Sequence, residues 1–276
     1  VFRVVIPARY GSSRFPGKPL VEIAGRPLLA WVYARAAAAG AAEVLIATDD
    51  ARIAALGAAL GASVVMTRAD HPSGTDRIAE VAAQRAWDDA TIVVNLQGDE
   101  PLMPVTLLRQ VAATLDAHPA AAIATVATPI LALEEFLDPN VVKVVTDPTG
   151  RALYFSRAPI PWDRDAGEVP ARDAGDAGDG SDGGGATASA GVARRWSVGR
   201  RHIGLYAYRV GALRRLAAFA PTPLEALERL EQLRALEHGM EIRVLEASER
   251  PGADVNTPAD LARVAAALAA SGAPGG

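Results

Sequence analysis

From residue 3 to residue 19 the chain reads RVVIPARYGSSRFPGKP. A short apolar run stops at Pro7 and gives way at once to a loop of glycines, hydroxyls and three cations. That is the form of a strand buried on both faces whose carboxyl end opens toward a ligand. The apolar run recurs at 43–48 (EVLIAT), 63–66 (SVVM), 91–95 (TIVVN) and 122–128 (AIATVAT). Helical patterns lie between these runs near 27–39, 50–60, 75–86 and 104–117. Strands alternating with helices at this spacing predict βαβ units and a mostly parallel sheet flanked by helices, an α/β fold. Farther on, 141–146 (VVKVVT) and 151–156 (RALYFS) flank Asp147-Pro148-Thr149-Gly150, a type I turn sequence, and predict a hairpin. A strand at 201–209, helices near 210–219 and 223–238, a strand at 241–246 and a closing helix at 258–270 complete the expected order.

The composition limits what this fold can do. Of 276 residues 50% are apolar but only 5% aromatic, so the core rests on Ala, Val, Leu and Ile. The absence of cysteine excludes disulfides, thiolate zinc sites and cysteine nucleophiles. The formal charge of −4 argues against a general nucleic-acid surface. No run reaches the roughly 18 apolar residues of a membrane span. VFRVVIPAR at the start lacks the pattern of a secretory leader. The expectation is a soluble cytoplasmic protein with neither nucleic-acid nor membrane partners. Residues 165–191 (DAGEVPARDAGDAGDGSDGGGATASAG) carry Val169 as their only large apolar side chain. Such a segment cannot offset its ordering entropy, and a flexible insertion is expected within a single folded unit of residues 1–276. Its five Asp and Glu168 face one Arg, so the acidic balance of the chain comes from this segment and the rest is nearly neutral.

In the first loop, Arg9, Arg14 and Lys18 provide charge to neutralise a phosphate. Gly11 and Gly17 allow close backbone approach, with Ala8, Ser12 and Ser13 alongside. The loop is not a Walker P-loop, because five residues separate its glycines and Pro19 follows Lys18. A dinucleotide G-x-G-x-x-G is absent as well. Residues 67–77 (TRADHPSGTDR) place Ser73, Gly74 and Thr75 at a helix start, where free N–H groups favour an anion or a base edge; simple capping is the plain alternative. Residues 94–101 (VNLQGDEP) bring Gln97, Asp99 and Glu100 to the carboxyl edge of the sheet. A carboxylate beside phosphates requires a cation between them, which points to Mg²⁺; a turn stabilised by Asp99 is the alternative.

PARYGSSRFPGKPL resembles the nucleotide-binding signature of the nucleotide-sugar pyrophosphorylase and cytidylyltransferase families. The wording is most similar to the CMP-Kdo synthetase (3-deoxy-manno-octulosonate cytidylyltransferase) family. The blocks at 141–165, 200–209 and 223–239 resemble that family too. The resemblance implies a Rossmann-like, glycosyltransferase-A-like nucleotidyltransferase sheet. It also implies transfer of CMP from CTP to 3-deoxy-manno-octulosonate (Kdo), with Mg²⁺ as cofactor, for lipopolysaccharide biosynthesis. A homodimer is implied, with its interface expected in a subdomain of 141–163 and 201–209. Arg9, Arg14, Lys18 and Asp99 are implied as catalytic, and Arg9, Ser12, Ser13, Lys18 and the 73–75 segment as nucleotide contacts. Arg77, Gln97, Arg157, His202, Tyr206, Glu231 and Gln232 are implied as sugar-acid contacts. The family pattern Val-Asp-Thr-Pro-x-Asp-Leu carries a second metal ligand, but this chain has Asn256 at that position. Asp254, two residues earlier, faces the same side in extended backbone and is expected to replace or assist it. Two alternatives stay open: an enzyme activating another sugar acid such as sialic acid, and a nucleotide-binding protein that has lost its metal.

Overall fold

A computed structural model describes residues 1–11, 15–164 and 198–270. The insertion at 165–191, together with Ser12, Ser13 and Arg14, lies outside the described residues. The first half follows the expected alternation. In order come β1 (Phe2–Pro7), a short hairpin of β2 (Glu22–Ile23) and β3 (Arg26–Pro27), α1 (Leu28–Ala37), β4 (Glu43–Thr48), α2 (Ala51–Ala59), β5 (Ser63–Met66), α3 (Gly74–Gln84), β6 (Ile92–Asn95), α4 (Val105–Ala117) and β7 (Ile123–Pro129). The second half contains α5 (Leu133–Leu137), β8 (Lys143–Thr146), β9 (Ala152–Ser156), β10 (Arg200–Arg209), α6 (Val210–Ala218), α7 (Pro223–Glu228), α8 (Gln232–Glu237), β11 (Ile242–Glu246) and α9 (Asp260–Ala270). The main sheet runs β11-β7-β10-β6-β1-β4-β5. β1 is parallel to β4 and β6, β4 to β5, and β11 to β7.

β1 explains why the sheet is buried on both faces. Val4 and Ile6 belong to a core shared with α1, α4 and α9. Val5 points the other way, into a core shared with α3 and α6. Successive strand side chains alternate between faces, so an unbroken apolar run serves two cores at once.

The strand expected in a dimerisation subdomain, β10, lies between β6 and β7 in the sheet. Tyr206–Arg209 pair antiparallel with β6, and β7 pairs along the opposite edge. Arg200 and Arg201 pair with β8 of the β8–β9 hairpin. The single helix expected over 223–238 is two helices. Arg229 adopts left-handed backbone (φ 52°), and a Thr222/Glu225 capping box starts the first piece. The break sets Glu231 and Gln232 at the start of α8 and turns them inward.

β10 bulges between Ile203 and Tyr206. The Thr125 hydroxyl fills the bulge, lying 3.0 Å from the Ile203 carbonyl, 2.8 Å from that of Leu205 and 3.0 Å from His202 Nε2. With its one proton given to the carbonyls, the hydroxyl accepts from the ring, which packs edge-on against Phe155 at 5.0 Å. Next to it, Lys143 is fully buried. Its ammonium donates to the carbonyls of Asp138 (2.9 Å), Val141 (2.5 Å) and Arg157 (2.6 Å), tying the loop before β8 to the end of β9.

Lys143→Met keeps the stem and leaves three carbonyls without their donor. Urea unfolding is expected to show a loss of about 3 kcal/mol. Burial depresses the His202 pKa to about 3, so the folded state keeps this ring neutral where the unfolded chain, near 6.5, takes up a proton. Stability therefore falls as pH drops below 6.5. By pH 5 the wild type is expected to lose about 2 kcal/mol more than His202→Gln, measured as the difference in urea midpoints across pH.

Candidate active site

The parallel strands end on one edge, and three cavities lie along it. The first, about 190 Å³, is walled by Ala8, Arg9 and Lys18 of the first loop, by Ser73, Gly74 and Arg77 at the start of α3, and by Gln97 and Asp99 after β6. The middle cavity, also about 190 Å³, shares Gly74 and Gln97 with it and adds Thr75, Tyr208 and Glu231. The third, about 310 Å³, shares Tyr206 and Gln232 with the middle one and adds Glu100, Asn140, Arg201, His202 and Asp254. The shared walls make one trough across the strand ends, where open α/β sheets bind ligands.

The first loop owes its path to Gly17. This residue is left-handed (φ 72°), and a Cβ there would lie 3.0 Å from the Tyr10 ring. Tyr10 is covered on its side by the Arg52 guanidinium at 3.4 Å from the ring centroid. The loop delivers Lys18, whose Nζ donates to Asp99 Oδ2 at 2.7 Å and to the Val255 carbonyl at 2.9 Å. The Val255 amide in turn donates to the Asp99 carbonyl at 2.9 Å. Gly98 lets this strand end pass close to β1, because a Cβ would stand 3.1 Å from the Pro7 carbonyl.

The first cavity is cationic. Arg77 is buried, hydrogen-bonded to Thr67 and 3.3 Å from Asp49 Oδ1. Burial lowers its pKa, and the nearby Arg9 charge lowers it further. Ser73 caps α3 by accepting from the Asp76 amide at 3.2 Å. The positive end of that helix faces the same space as Arg9 and Lys18.

The rest of the trough is lined by hydrogen-bonding groups, Glu231, Tyr206 and Glu100 among them. Burial lifts the Glu231 pKa, opposed by the Thr75 and Ser73 hydroxyls bonded to it. Burial also lifts the Tyr206 phenol, and its ring lies 5.3 Å from His202. Glu100 is pushed well up by burial and by the charges of Asp99 and Asp254.

Most of the residues implied by the resemblance therefore converge, with four exceptions or shifts. Arg157 lines none of the three cavities; its guanidinium donates to the Glu228 carbonyl at 2.7 Å and the Pro139 carbonyl at 2.9 Å, bracing the far wall. Arg77, implied on the sugar side, lines the cationic cavity instead. Asn256 lines none of the cavities, and its Nδ2 donates to Asp254 Oδ2 at 2.6 Å. Ser12, Ser13 and Arg14 lie outside the described residues. Sequence reading brought Glu100 to the sheet edge without giving it a role, and it lines the third cavity. It missed His71, which lines the cationic cavity paired with Glu80, and Arg201 and Asn140 of the third cavity, none of which carried a local signal.

Among the described residues no helix is long and apolar enough to cross a membrane, and no cluster of three or more His, Cys, Asp or Glu stands ready for a metal. A family model described as "Cytidylyltransferase" matches residues 3–242. A 3-deoxy-manno-octulosonate cytidylyltransferase of Halorhodospira halophila is 54% identical over 267 residues, 97% of this chain and 96% of that protein. One from Alkalilimnicola ehrlichii is 54% identical over 273 residues, covering 99% and 98%. A solved CMP:2-keto-3-deoxy-manno-octonic acid synthetase complexed with CTP superposes with a TM-score of 0.82 at 38% identity, covering 98% of this chain and all of that one. A 4-diphosphocytidyl-2C-methyl-D-erythritol synthase, 11% identical with a TM-score of 0.57, shares the fold. The chain belongs to the cytidylyltransferase family, among the 3-deoxy-manno-octulosonate cytidylyltransferases.

Proposed function

We propose that the chain transfers CMP from CTP to the anomeric hydroxyl of Kdo, releasing pyrophosphate. The observation that carries this reading is the polarity of the trough. One end gathers Arg9, Lys18, Arg77 and a helix start, which suits a triphosphate. The other offers His202, Tyr206, Gln232 and Arg201, which suits a sugar acid with many hydroxyls and one carboxylate. Gln97 lies where the two meet.

In this reading the anomeric oxygen attacks the α-phosphorus in line, and the bond to the pyrophosphate oxygen breaks. Lys18 and Arg9 hold the triphosphate and then the departing pyrophosphate, with Arg14 assigned the same task. Ala8, Ser12, Ser13, Ser73, Gly74 and Thr75 complete the nucleotide contacts. Catalysis rests on positioning and preorganised charge rather than on a covalent enzyme intermediate. His202, Tyr206, Glu231 and Gln232 orient the sugar, and Arg157, which braces the wall, is read as a sugar-acid contact beside them.

Asp99 fits a Mg²⁺ site of the kind completed by substrate. Its carboxylate borders the cationic cavity, and Mg²⁺ is commonly held by one or two carboxylates plus phosphate oxygens, without a protein cage. When bound, the ion would supply charge neutralisation and lower the pKa of the attacking hydroxyl. Asp254, held by Asn256, is read as assisting Asp99. We further read the protein as a cytoplasmic homodimer supplying CMP-Kdo for lipopolysaccharide. Exposed Leu153 on the β8–β9 hairpin and Trp162 nearby are compatible with a contact between copies.

Pyrophosphate release tests the reading. With CTP and Mg²⁺, Kdo is expected to trigger release and N-acetylneuraminate is not; release with neither sugar acid would favour a nucleotide-binding protein. Lys18→Ala is expected to lower kcat by roughly 10²–10³. An effect on KM alone would contradict its role.

A further inference from the structure

We infer that Glu100 is a further substrate-contacting residue, whose carboxyl group hydrogen-bonds the sugar hydroxyls in the third cavity. This rests on the function proposed above. Glu100 lines that cavity with Asn140, His202, Tyr206, Gln232 and Asp254. Its Oε2 is buried and has no hydrogen-bond partner. A buried acceptor left unmatched is costly, and native proteins keep few of them. Among the described residues lining this cavity the one cation is Arg201, which also pairs with Glu135 at 3.3 Å.

The chemistry of the missing partner is constrained from two sides. Asp254 lines the same cavity and Asp99 is the preceding residue, so a phosphate or carboxylate group beside Glu100 would meet three acids unless a cation lay between them. A neutral hydroxyl meets no such repulsion. It can also donate or accept, and so it matches a carboxyl group in either protonation state. A polyhydroxylated sugar acid presents such groups along one side and its carboxylate elsewhere. Glu100 therefore selects for the hydroxylated side of the sugar and keeps the triphosphate at the cationic end. Its neighbour Asp99 does different work, since it borders the first cavity and carries the Lys18 ammonium.

The test is steady-state kinetics on the full-length enzyme. In Glu100→Leu the KM for Kdo is expected to rise about tenfold or more, the loss of one buried hydrogen bond. The KM for CTP is expected to stay within about twofold, and Mn²⁺ binding in the presence of CTP, followed by electron paramagnetic resonance, is expected to be unchanged. Glu100→Gln, which keeps the shape and a hydrogen-bonding head, is expected to recover most of the Kdo affinity. Should the leucine variant unfold, Glu100→Ala serves in its place, with CTP binding as the check on folding. An unchanged Kdo KM in the leucine or alanine variant overturns the inference. So does a loss of Mn²⁺ binding with Kdo KM preserved, which would make Glu100 a metal ligand. Failure of the wild type to release pyrophosphate with Kdo would instead sink the underlying function.

Discussion

The Lys18 ammonium holds the site together. It joins three segments far apart in sequence: the loop after β1, the strand end carrying Asp99, and the carbonyl of Val255 near the C-terminus. An isolated surface ion pair contributes little, but this one is partly buried and supplemented by a charge-assisted bond to a backbone carbonyl. The return bond from the Val255 amide to Asp99 closes the arrangement. Without it the first loop would lose its anchor to the sheet edge, and the 254–256 segment would lose its place beside the trough. The same ammonium that ties these segments together lines the cationic cavity, so in the proposed function nucleotide binding and local order draw on one group.

The second constraint is topological. An antiparallel strand, β10, runs between β6 and β7 and brings residues 201–206 to the edge where the parallel strands end. This placement supplies His202 and Tyr206 from a part of the chain more than a hundred residues from Asp99. The Thr125 hydroxyl stabilises the bulge between them. Lys143 secures the neighbouring loop against β9. The end of the trough with His202 and Tyr206 is thus walled by buried polar groups, whereas the cationic end is bordered by a loop that turns at Gly17.

Much of this was legible in the sequence. The unbroken apolar runs of β1, β4, β6 and β7 could serve only a sheet covered on both faces, and the cations of the first loop marked its ligand edge. The departures have physical causes. The hairpin of β2 and β3 has two residues per strand, too few for periodicity. The break at Arg229 lies among strong helix formers, and tertiary packing overrode their propensity. The central position of β10 depends on pairing partners distant in the chain, which local pattern does not encode. Arg157 also donates to two carbonyls, a placement visible only once the fold is known. Glu100 could be quoted from the sequence, but its buried unmatched oxygen could not.

Lys18 and Asp99 are bonded to each other at the cationic end of the trough, and in the proposed function they act as one unit. The most direct measurement is a double-mutant cycle on Kdo-dependent pyrophosphate release, comparing Lys18→Met, Asp99→Asn and the double variant. Groups that work as a unit lose nearly everything with the first deletion. The double variant is expected to be about as slow as the slower single variant. Losses that multiply across the two substitutions would mean independent roles and would contradict it.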